Sequence, residues 1–291
     1  MLDNRKILII GSSGQVGKSI ENLIQDSHEL VILNRPACDF TRQEELKNLI
    51  HNIKPSIIIN AAAFTSVDLA EKETHLALTC NQEAPKLLAQ ISSNINALLI
   101  HFSTDYVFDG TKNKPYKETE IHSPINVYGI TKARGESLIL DSKIDAWIIR
   151  TSWLFSPYGK NFVTNIFSSL HNMKKLNVID DQVGAPTYAI DLAKLTLEAI
   201  KIGNFGVGVK IYHFTNKGSS TWYNLAMKIK QEINSECQIH PIETSSYPSK
   251  ARRPKYSVLS CGKMEKDFNL NIRSWELAMK HCINKILSKD V

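Results

Sequence analysis

Tyr128 and Lys132 stand four residues apart, a spacing that places two side chains on one face of a helix. A free tyrosine titrates near pH ~10, so it is a poor proton exchanger at neutral pH. A neighbouring ammonium group favours the phenolate and lowers that pKa. The pair therefore predicts a tyrosine that donates a proton while a carbonyl is reduced, and a lysine that tunes it and holds a cofactor ribose.

Polar and small residues follow two of the predicted strands. Ser103–Asp105 come directly after the predicted fourth strand, Ala97–Phe102. Ligands in open α/β sheets bind at the carboxyl ends of the strands, and a hydroxyl there can share the substrate oxygen with Tyr128. Asn60–Ala63 end the third strand, and their small side chains leave room for cofactor contacts. These strand ends favour a reductase site over an ordinary surface pair.

A glycine-rich turn joins the first predicted strand to the first predicted helix, with glycines at positions Gly11, Gly14 and Gly17. Glycines here allow a tight turn, a close approach of backbone to a pyrophosphate, and close packing of helix on sheet. The helix N-terminus offers free N–H groups and the positive end of its dipole to phosphates. The GxxGxxG spacing is one residue longer than the usual GxGxxG, and its position predicts dinucleotide binding.

The end of the second predicted strand bears on the choice of dinucleotide. An NAD-specific site usually carries Asp or Glu there to bind the ribose 2′-hydroxyl, whereas this chain has Asn34 and Arg35. Arg35 can pair with a 2′-phosphate, so the sequence favours NADPH, with NADH as the alternative cofactor. A solvated surface role for Arg35 explains the residue almost equally well.

Short apolar runs alternate with longer amphipathic segments in the first half of the chain, a pattern typical of strands buried on both faces of a parallel sheet. The predicted strands are Lys6–Ile10, Leu30–Leu33, Ser56–Asn60, Ala97–Phe102 and Ala146–Arg150. The predicted helices are Gln15–Gln25, Arg42–Asn52, Leu76–Ser92, with Pro85 as a kink or break, and Val127–Leu140. This order predicts an α/β fold with a doubly wound parallel sheet of the Rossmann type.

The pattern is less regular after Arg150. Helices are predicted at Asn161–Leu170, Ala189–Ile200, Thr221–Ile233 and Ser274–Leu287, the last two with Thr221 and Ser274 as N-caps. Short strands are predicted near Leu176–Ile179 and Ile211–Phe214. We therefore predict a dinucleotide-binding domain at 1–150, with returning segments near 176–216, and a smaller α/β C-terminal part at 151–291 that mainly binds substrate.

Composition and charge exclude several classes of protein. The 291 residues, 43% hydrophobic and 22% charged, are ordinary for a soluble globular protein. No apolar stretch approaches the roughly 20 residues of a membrane span. The net charge of +6 suits an anionic ligand, but the basic residues are dispersed, so nucleic acid is not expected. Five scattered cysteines without a CxxC pair, and no evident signal peptide, favour a reducing cytoplasm and argue against a metal site.

These motifs resemble those of the extended short-chain dehydrogenase/reductase superfamily and, within it, the dTDP-4-dehydrorhamnose reductase family. The resemblance covers nearly the whole chain, and the last four of its segments are the more specific. The segments are Gly11–Gly17, Asn60–Asp68, Ser103–Gly110, Ser123–Gly129, Arg150–Trp153, Asp181–Thr187 and Arg253–Pro254.

The resemblance implies NAD(P)H-dependent reduction of the C4 keto group of dTDP-4-dehydro-6-deoxy-L-mannose (dTDP-4-dehydrorhamnose) to dTDP-L-rhamnose, for cell-surface polysaccharide synthesis. It implies Tyr128 as the proton donor, Lys132 as its partner and Thr104 as the hydroxyl that tunes it. With the residues above, the predicted cofactor contacts are Gly11, Gly14, Gln15, Val16, Gly17, Arg35, Asp39, Phe40, Ala61, Ala62, Ala63, Phe64, Thr65, Tyr128 and Lys132. The implied substrate contacts are Thr104, Asp105, Trp153, Gln182, Thr187 and Arg253.

The chain departs from the family pattern at several positions. The best-known members carry an acidic residue where Asn34 stands, which leaves the cofactor preference open. Some members form magnesium-linked dimers through glutamates, but Ser19 and Ile190 occupy two of those positions here. We therefore expect a monomer or homodimer without that metal. Val258 replaces a family arginine, and a weaker sugar-nucleotide contact is expected there.

Three other kinds of protein share parts of this pattern: dehydratases, epimerases and non-catalytic nucleotide-binding subunits. Sugar-nucleotide 4,6-dehydratases place a glutamate where this chain has Tyr106, so elimination of water is not supported. Sugar-nucleotide epimerases also use Tyr and Lys but recycle tightly bound NAD. A non-catalytic nucleotide-binding subunit, like the regulatory subunit of methionine adenosyltransferase, would keep the fold without turnover. The joint presence of Thr104, Tyr128 and Lys132 favours an active reductase.

Overall fold

The computed structural model describes residues 5–24, 30–203 and 206–288. The strands are β1 (Ile7–Ile10), β2 (Leu30–Leu33), β3 (Ile57–Asn60), β4 (Leu98–Thr104), β5 (Ala146–Thr151), β6 (Leu154–Phe155), β7 (Lys175–Ile179), β8 (Val183–Gly184), β9 (Thr187–Tyr188), β10 (Val209–His213), β11 (Ser220–Thr221) and β12 (Gln238–Ile242). The α-helices are α1 (Gln15–Ile24), α2 (Gln43–Ile53), α3 (Val67–Ala70), α4 (Thr74–Leu78), α5 (Ala84–Ile95), α6 (Val127–Asp141), α7 (Phe162–Asn172), α8 (Ala189–Ile202), α9 (Trp222–Glu232), α10 (Gly262–Phe268) and α11 (Trp275–Leu287). A π-helical turn spans Thr79–Glu83, and 3₁₀ turns span Asp105–Val107 and Thr244–Ser246.

Six parallel strands form the main sheet in the order β10-β5-β4-β3-β1-β2. The predicted doubly wound α/β fold is confirmed, and β10 is the returning strand predicted near Ile211–Phe214. The chain builds the sheet outward from β1 in both directions, with β2 on one side and β3 on the other. The carboxyl ends of β1 and β3 therefore form the switch point at which ligands bind in such sheets.

Strand β1 shows why the predicted strands carry apolar residues at successive positions instead of alternating with polar ones. Ile7 and Ile9 pack with residues of α1 and α8 on one face, while Leu8 and Ile10 pack with α2 and α5 on the other. Burying each such side chain contributes about 1.5–3 kcal/mol to folding, so both faces stabilise the sheet. Gln25, the predicted last residue of the first helix, lies outside the described residues.

The predicted helix Leu76–Ser92, with its kink or break at Pro85, is divided into α4, the π-helical turn and α5. Pro85 lies in the first turn of α5, which confirms the predicted break. Proline has no N–H, so the Asn81 carbonyl loses its helical donor. That oxygen instead faces Gly135 of α6, where no Cβ fits, and the two helices approach closely there.

The C-terminal part has a core of its own, formed by α7, α9 and α11 with β7 and β12. The predicted N-caps are confirmed: Thr221 Oγ1 accepts from the Asn224 N–H at 3.1 Å, and Ser274 Oγ accepts from the Leu277 N–H at 3.4 Å. Helix α8 nevertheless packs in the core of the main sheet, as does Phe268 of α10. The division near residue 150 stays a prediction. In the described part of the chain, every helix is too short or too polar to cross a membrane.

Candidate active site

A cleft of about 510 Å³ opens at the switch point, along the carboxyl ends of β1, β3, β4 and β5. Residues predicted separately for the cofactor, for catalysis and for the sugar meet in it. Its lining consists of Ser13, Gly14, Gln15, Val16, Ala61, Ala63, Thr65, Val67, Ser103, Thr104, Asp105, Tyr106, Tyr128, Thr151, Ser152, Trp153, Leu154, Tyr158, Gly159, Lys160 and Trp222. The remaining predicted residues lie outside this lining.

The three glycines of the turn have different surroundings. Gly11 has a φ of +87°, and a Cβ there would lie 2.6 Å from the Ala62 nitrogen. At Gly17 a Cβ would collide with the Gly11 carbonyl, so both glycines are required by the packing of β1, β3 and α1. Gly14 faces the cleft and has no neighbour closer than 3.6 Å to such a Cβ. The turn is thus an open cradle at a helix N-terminus, which fits a pyrophosphate.

The predicted adenosine end lies at the end of β2. Asn34 Nδ2 donates to Ser12 Oγ at 2.8 Å, and its Oδ1 is buried without a partner. Arg35 is exposed and hydrogen-bonds the Cys80 thiol. Asp39 accepts hydrogen bonds from the N–H and the hydroxyl group of Thr41, while Phe40 packs against the core. The orphan Asn34 carbonyl suits a ribose hydroxyl, so the structure leaves both NADPH and NADH compatible with this end.

Helix α6 carries Tyr128 into the cleft on its first turn. Asn126 caps the helix by accepting from the Gly129 N–H at 2.8 Å, and Gly129 leaves no room for a Cβ against the Tyr106 carbonyl. Strand β4 ends at Thr104, two residues later than predicted. The Thr104 hydroxyl hydrogen-bonds the Tyr128 phenol. The predicted hydroxyl and proton donor are therefore brought together.

Burial raises the pKa of Tyr128 to about 12, although the hydrogen bond between Tyr128 and Thr104 lowers it. The predicted lowering of this pKa by Lys132 is wrong for the cofactor-free protein. The reason is geometric: Lys132 Nζ lies 2.6 Å from the Phe102 carbonyl and 3.1 Å from His101 Nε2, both on β4. A tyrosine protonated at neutral pH is nevertheless the form that a proton donor requires.

Asp105 is the least satisfied acid of the cleft. Its side chain is 2% exposed, and its Oδ2 has no hydrogen-bond partner. Burial raises the pKa of Asp105 to about 7, against hydrogen bonds from Ser257 and Thr104 that lower it. A buried carboxyl oxygen without a partner is costly for folding, so Oδ2 marks a site where a ligand group fits.

The wall opposite the glycine turn is aromatic. Trp153 has a φ of +46° and stacks on Trp222, with ring centroids 3.5 Å apart. Gly184 lies against the Trp153 ring, where no Cβ fits. Gln182 accepts from Trp222 Nε1 at 3.1 Å, and the Thr187 N–H donates to the Trp153 carbonyl at 3.1 Å. Gln182 and Thr187 therefore hold the cleft-lining tryptophans from behind.

Arg253 lies outside the cleft lining and contacts a residue that forms it. It forms an ion pair with Asp68 at 2.6 Å and hydrogen-bonds the half-buried Tyr106, a cleft residue. The partner Asp68 accepts from the backbone N–H groups of Lys250 and Ala251 at 2.9 and 3.0 Å. These contacts fix the segment near Arg253 against the loop that follows β3.

Sequence reasoning missed several residues of the site. Trp222 opens α9 directly after the predicted N-cap Thr221, and nothing local signals that its ring crosses to Trp153. Glu136, which pairs with the buried Arg150 at 2.7 Å, stands one helical turn beyond Lys132. That i+4 spacing was the available signal.

Comparisons with known proteins agree with one another. The family model described as RmlD substrate binding domain matches residues 5–288. A dTDP-4-dehydrorhamnose reductase of Aggregatibacter actinomycetemcomitans is 38% identical over 286 residues, 95% of this chain and 97% of the relative. The spore coat polysaccharide biosynthesis protein SpsK of Bacillus subtilis is 36% identical over 281 residues, 96% of this chain and 97% of the relative. A crystal structure of dTDP-4-dehydrorhamnose reductase from Bacillus anthracis str. Ames in complex with NADP matches with a TM-score of 0.92 and 32% identity, covering 97% of this chain and 99% of that one.

Proposed function

Since the chain belongs to the dTDP-4-dehydrorhamnose reductase family, we propose that it reduces the C4 keto group of dTDP-4-dehydrorhamnose to dTDP-L-rhamnose with NADPH. The observation that carries this proposal is the Tyr128 phenol, hydrogen-bonded to Thr104 in the same cleft as the glycine turn. The relative solved with NADP supports the cofactor, and NADH is the alternative. Relatives that are named dTDP-4-dehydrorhamnose reductase favour a reductase over a regulatory subunit.

Bound NADPH supplies the hydride that forms the new bond at C4. Tyr128 donates its phenolic proton to the carbonyl oxygen, so the ketone gains one hydride and one proton and becomes a secondary alcohol. Burial keeps Tyr128 protonated until that step. The Thr104 hydroxyl stabilises the phenolate that remains, and Lys132, on the same helix face, orients the ribose.

Unpartnered polar atoms of the cleft support a sugar as the ligand. Asp105 Oδ2 and Thr151 Oγ1 are buried without hydrogen-bond partners, and both residues line the cleft. Sugar hydroxyl groups donate and accept at such atoms, which removes the cost of burying them. The stacked pair Trp153 and Trp222 offers an apolar wall that suits the methyl group of a 6-deoxy sugar.

We further propose a monomer or homodimer without a bridging magnesium ion. Ser19 donates its hydroxyl to the Gln15 carbonyl at 2.7 Å, and Ile190 packs against the C-terminal core, so neither offers a carboxylate. All five cysteines are free thiols, which supports a reducing, cytoplasmic location.

The test is an assay with dTDP-4-dehydro-β-L-rhamnose and NADPH or NADH. The loss of nicotinamide absorbance should match product formation one to one, and NMR should identify dTDP-L-rhamnose. Sugar conversion without net cofactor oxidation would instead indicate an epimerase. A failure of every keto sugar to oxidise either cofactor would contradict the reductase.

A further inference from the structure

A chain of hydrogen bonds links the end of β3 to Lys132. The Ala62 N–H donates to Asn60 Oδ1 at 3.2 Å, which fixes the orientation of the Asn60 amide. Asn60 Nδ2 then lies 3.0 Å from His101 Nδ1, and His101 Nε2 lies 3.1 Å from Lys132 Nζ. Asn60, His101 and Lys132 are each 1% exposed, so water does not compete for these bonds.

The order of donors along this chain follows from the Asn60 amide. An amide NH₂ group only donates, so His101 Nδ1 must accept, and the proton of the neutral ring lies on Nε2. That Nε2–H points at Lys132 Nζ. An ammonium group has three donors and no acceptor, whereas a neutral amine has a lone pair that accepts. The amine keeps N–H groups to donate to the Phe102 carbonyl at 2.6 Å.

Burial and the neighbouring carboxylate act on the charge state of Lys132 in opposite directions. Burial lowers the pKa of Lys132 to about 8 and lowers that of His101 well below its usual value. Glu136, on the same helix face, raises the pKa of Lys132. Its carboxylate is already paired with Arg150 at 2.7 Å and with His122 at 2.9 Å, which reduces its effect. Two more titratable groups, Tyr128 and Asp105, lie in the adjoining cleft.

We propose that His101 is a positioning residue that donates Nε2–H to Lys132 and favours the neutral amine form of Lys132 in the cofactor-free protein, with Asn60 fixing the imidazole tautomer. This inference deepens the proposed function, because Lys132 must take up a proton and leave β4 before it acts as an ammonium beside Tyr128. The Asn60–His101 pair thereby sets the pH range over which the lysine is charged.

The tautomer is measured directly in the cofactor-free chain. Selective ¹⁵N-histidine labelling with long-range ¹H–¹⁵N NMR reports both ring nitrogens, and the His101 signals are assigned by their loss in His101→Gln. We expect a neutral ring protonated at Nε2 across neutral pH. A ring protonated at Nδ1, or an imidazolium, overturns the proposal. This measurement needs no turnover, so its failure is distinct from failure of the proposed reaction.

The variant Asn60→Asp reverses the donor order, because a carboxylate accepts from His101 Nδ1–H and leaves Nε2 as an acceptor for an ammonium. The alkaline limb of the kcat/KM profile should move upward by roughly 1 pH unit, a tenfold change in the protonation of Lys132. Asp105, with a pKa near 7, titrates close by but keeps its own partners in this variant. Asn165→Asp, on the exposed face of α7, adds the same charge and should leave the limb in place.

His101→Gln is the second variant, because the Gln amide is free to present its oxygen to an ammonium. It should also move the alkaline limb upward, while a merely structural role of His101 would lower kcat/KM equally at every pH. An unchanged limb in both folded variants overturns the proposal. If Asn60→Asp does not fold, His101→Gln and the NMR result on the unaltered chain decide.

Discussion

Two groups of polar residues meet at the carboxyl ends of β4 and β5. The paired cluster consists of Ser103, His122, Glu136 and Arg150. The open site consists of Thr104, Asp105, Tyr128 and Thr151. Ser103 pairs in register with Arg150, and Thr104 with Thr151, so strand alternation sends one pair to each face.

The strand residues of both groups are buried, but the groups differ in how their polar atoms are satisfied. Glu136 accepts from Ser103, from His122 and twice from Arg150, so its carboxylate is saturated by the protein itself. In the open site, Asp105 Oδ2 and Thr151 Oγ1 have no partner. Buried polar atoms with hydrogen-bond partners are compatible with a stable fold. Buried polar atoms without partners destabilise the fold until a ligand binds them. Substitutions should therefore cost stability in the paired cluster and activity in the open site.

Tyr128→Phe should show the largest effect on activity. It removes the proton donor but keeps the ring, so turnover should fall by about 10²–10⁴-fold with the free energy of unfolding nearly unchanged. Steady-state kinetics and urea denaturation measure the two quantities. Tyr223→Phe, on α9 outside the cleft, is the matched control and should retain turnover. Near-normal turnover of Tyr128→Phe would show that Tyr128 is not the proton donor.

Glu136→Gln should show the reverse behaviour. It leaves the buried Arg150 guanidinium without its countercharge, at a cost of about 3–5 kcal/mol in the free energy of unfolding. Arg150 and His122 hold the pKa of Glu136 well below its usual range against the opposing effect of burial. The stabilisation is therefore complete at neutral pH and is lost as the pH falls through that lowered pKa.

Urea denaturation of Glu136→Gln at neutral pH checks this expectation. Glu45→Gln, whose carboxylate pairs with Arg42 at 3.6 Å on the surface, is the control and should change stability by less than about 1 kcal/mol. Equal, small effects of the two variants would mean that the paired cluster does not stabilise the fold.

The difference between the two groups also explains what the sequence predicted. The open site was predictable because hydroxyl and acidic residues directly follow a buried strand and a Tyr–Lys pair has helical spacing. The main strands were predictable because each is a short run rich in Ile, Leu and Val. The paired cluster was not predictable, because the contribution of Glu136 to stability depends on which face of α6 contacts Arg150. Likewise, the stacking of Trp222 on Trp153 depends on a tertiary contact between segments far apart in the chain.

Asp105→Asn should stabilise the protein at the cost of activity. The raised pKa means that folded Asp105 keeps its proton up to pH about 7, while the unfolded chain releases it near its ordinary pKa of 3.8. Stability from this group is thus complete at low pH and falls as the pH rises toward 7, by about 4 kcal/mol at most. Asparagine does not titrate, so the variant should unfold at a higher temperature than the unaltered protein at pH ~8 and match it near pH ~4. A variant less stable at both pH values would show that the Asp105 carboxylate is satisfied after all.

Thr151→Val gives the smallest expected effect and the sharpest contrast, because valine has nearly the same shape as threonine. The Thr151 hydroxyl has no protein partner, so the variant should be as stable as the unaltered chain, while KM for the sugar nucleotide rises about tenfold, the worth of roughly one hydrogen bond. Thr196→Val on α8 is the control with the opposite expectation, because the buried Thr196 hydroxyl donates to the Leu192 carbonyl at 2.7 Å. That variant should lose about 1 kcal/mol of stability and keep its kinetics. If the two threonines behaved alike, burial alone, and not the absence of a partner, would govern both regions.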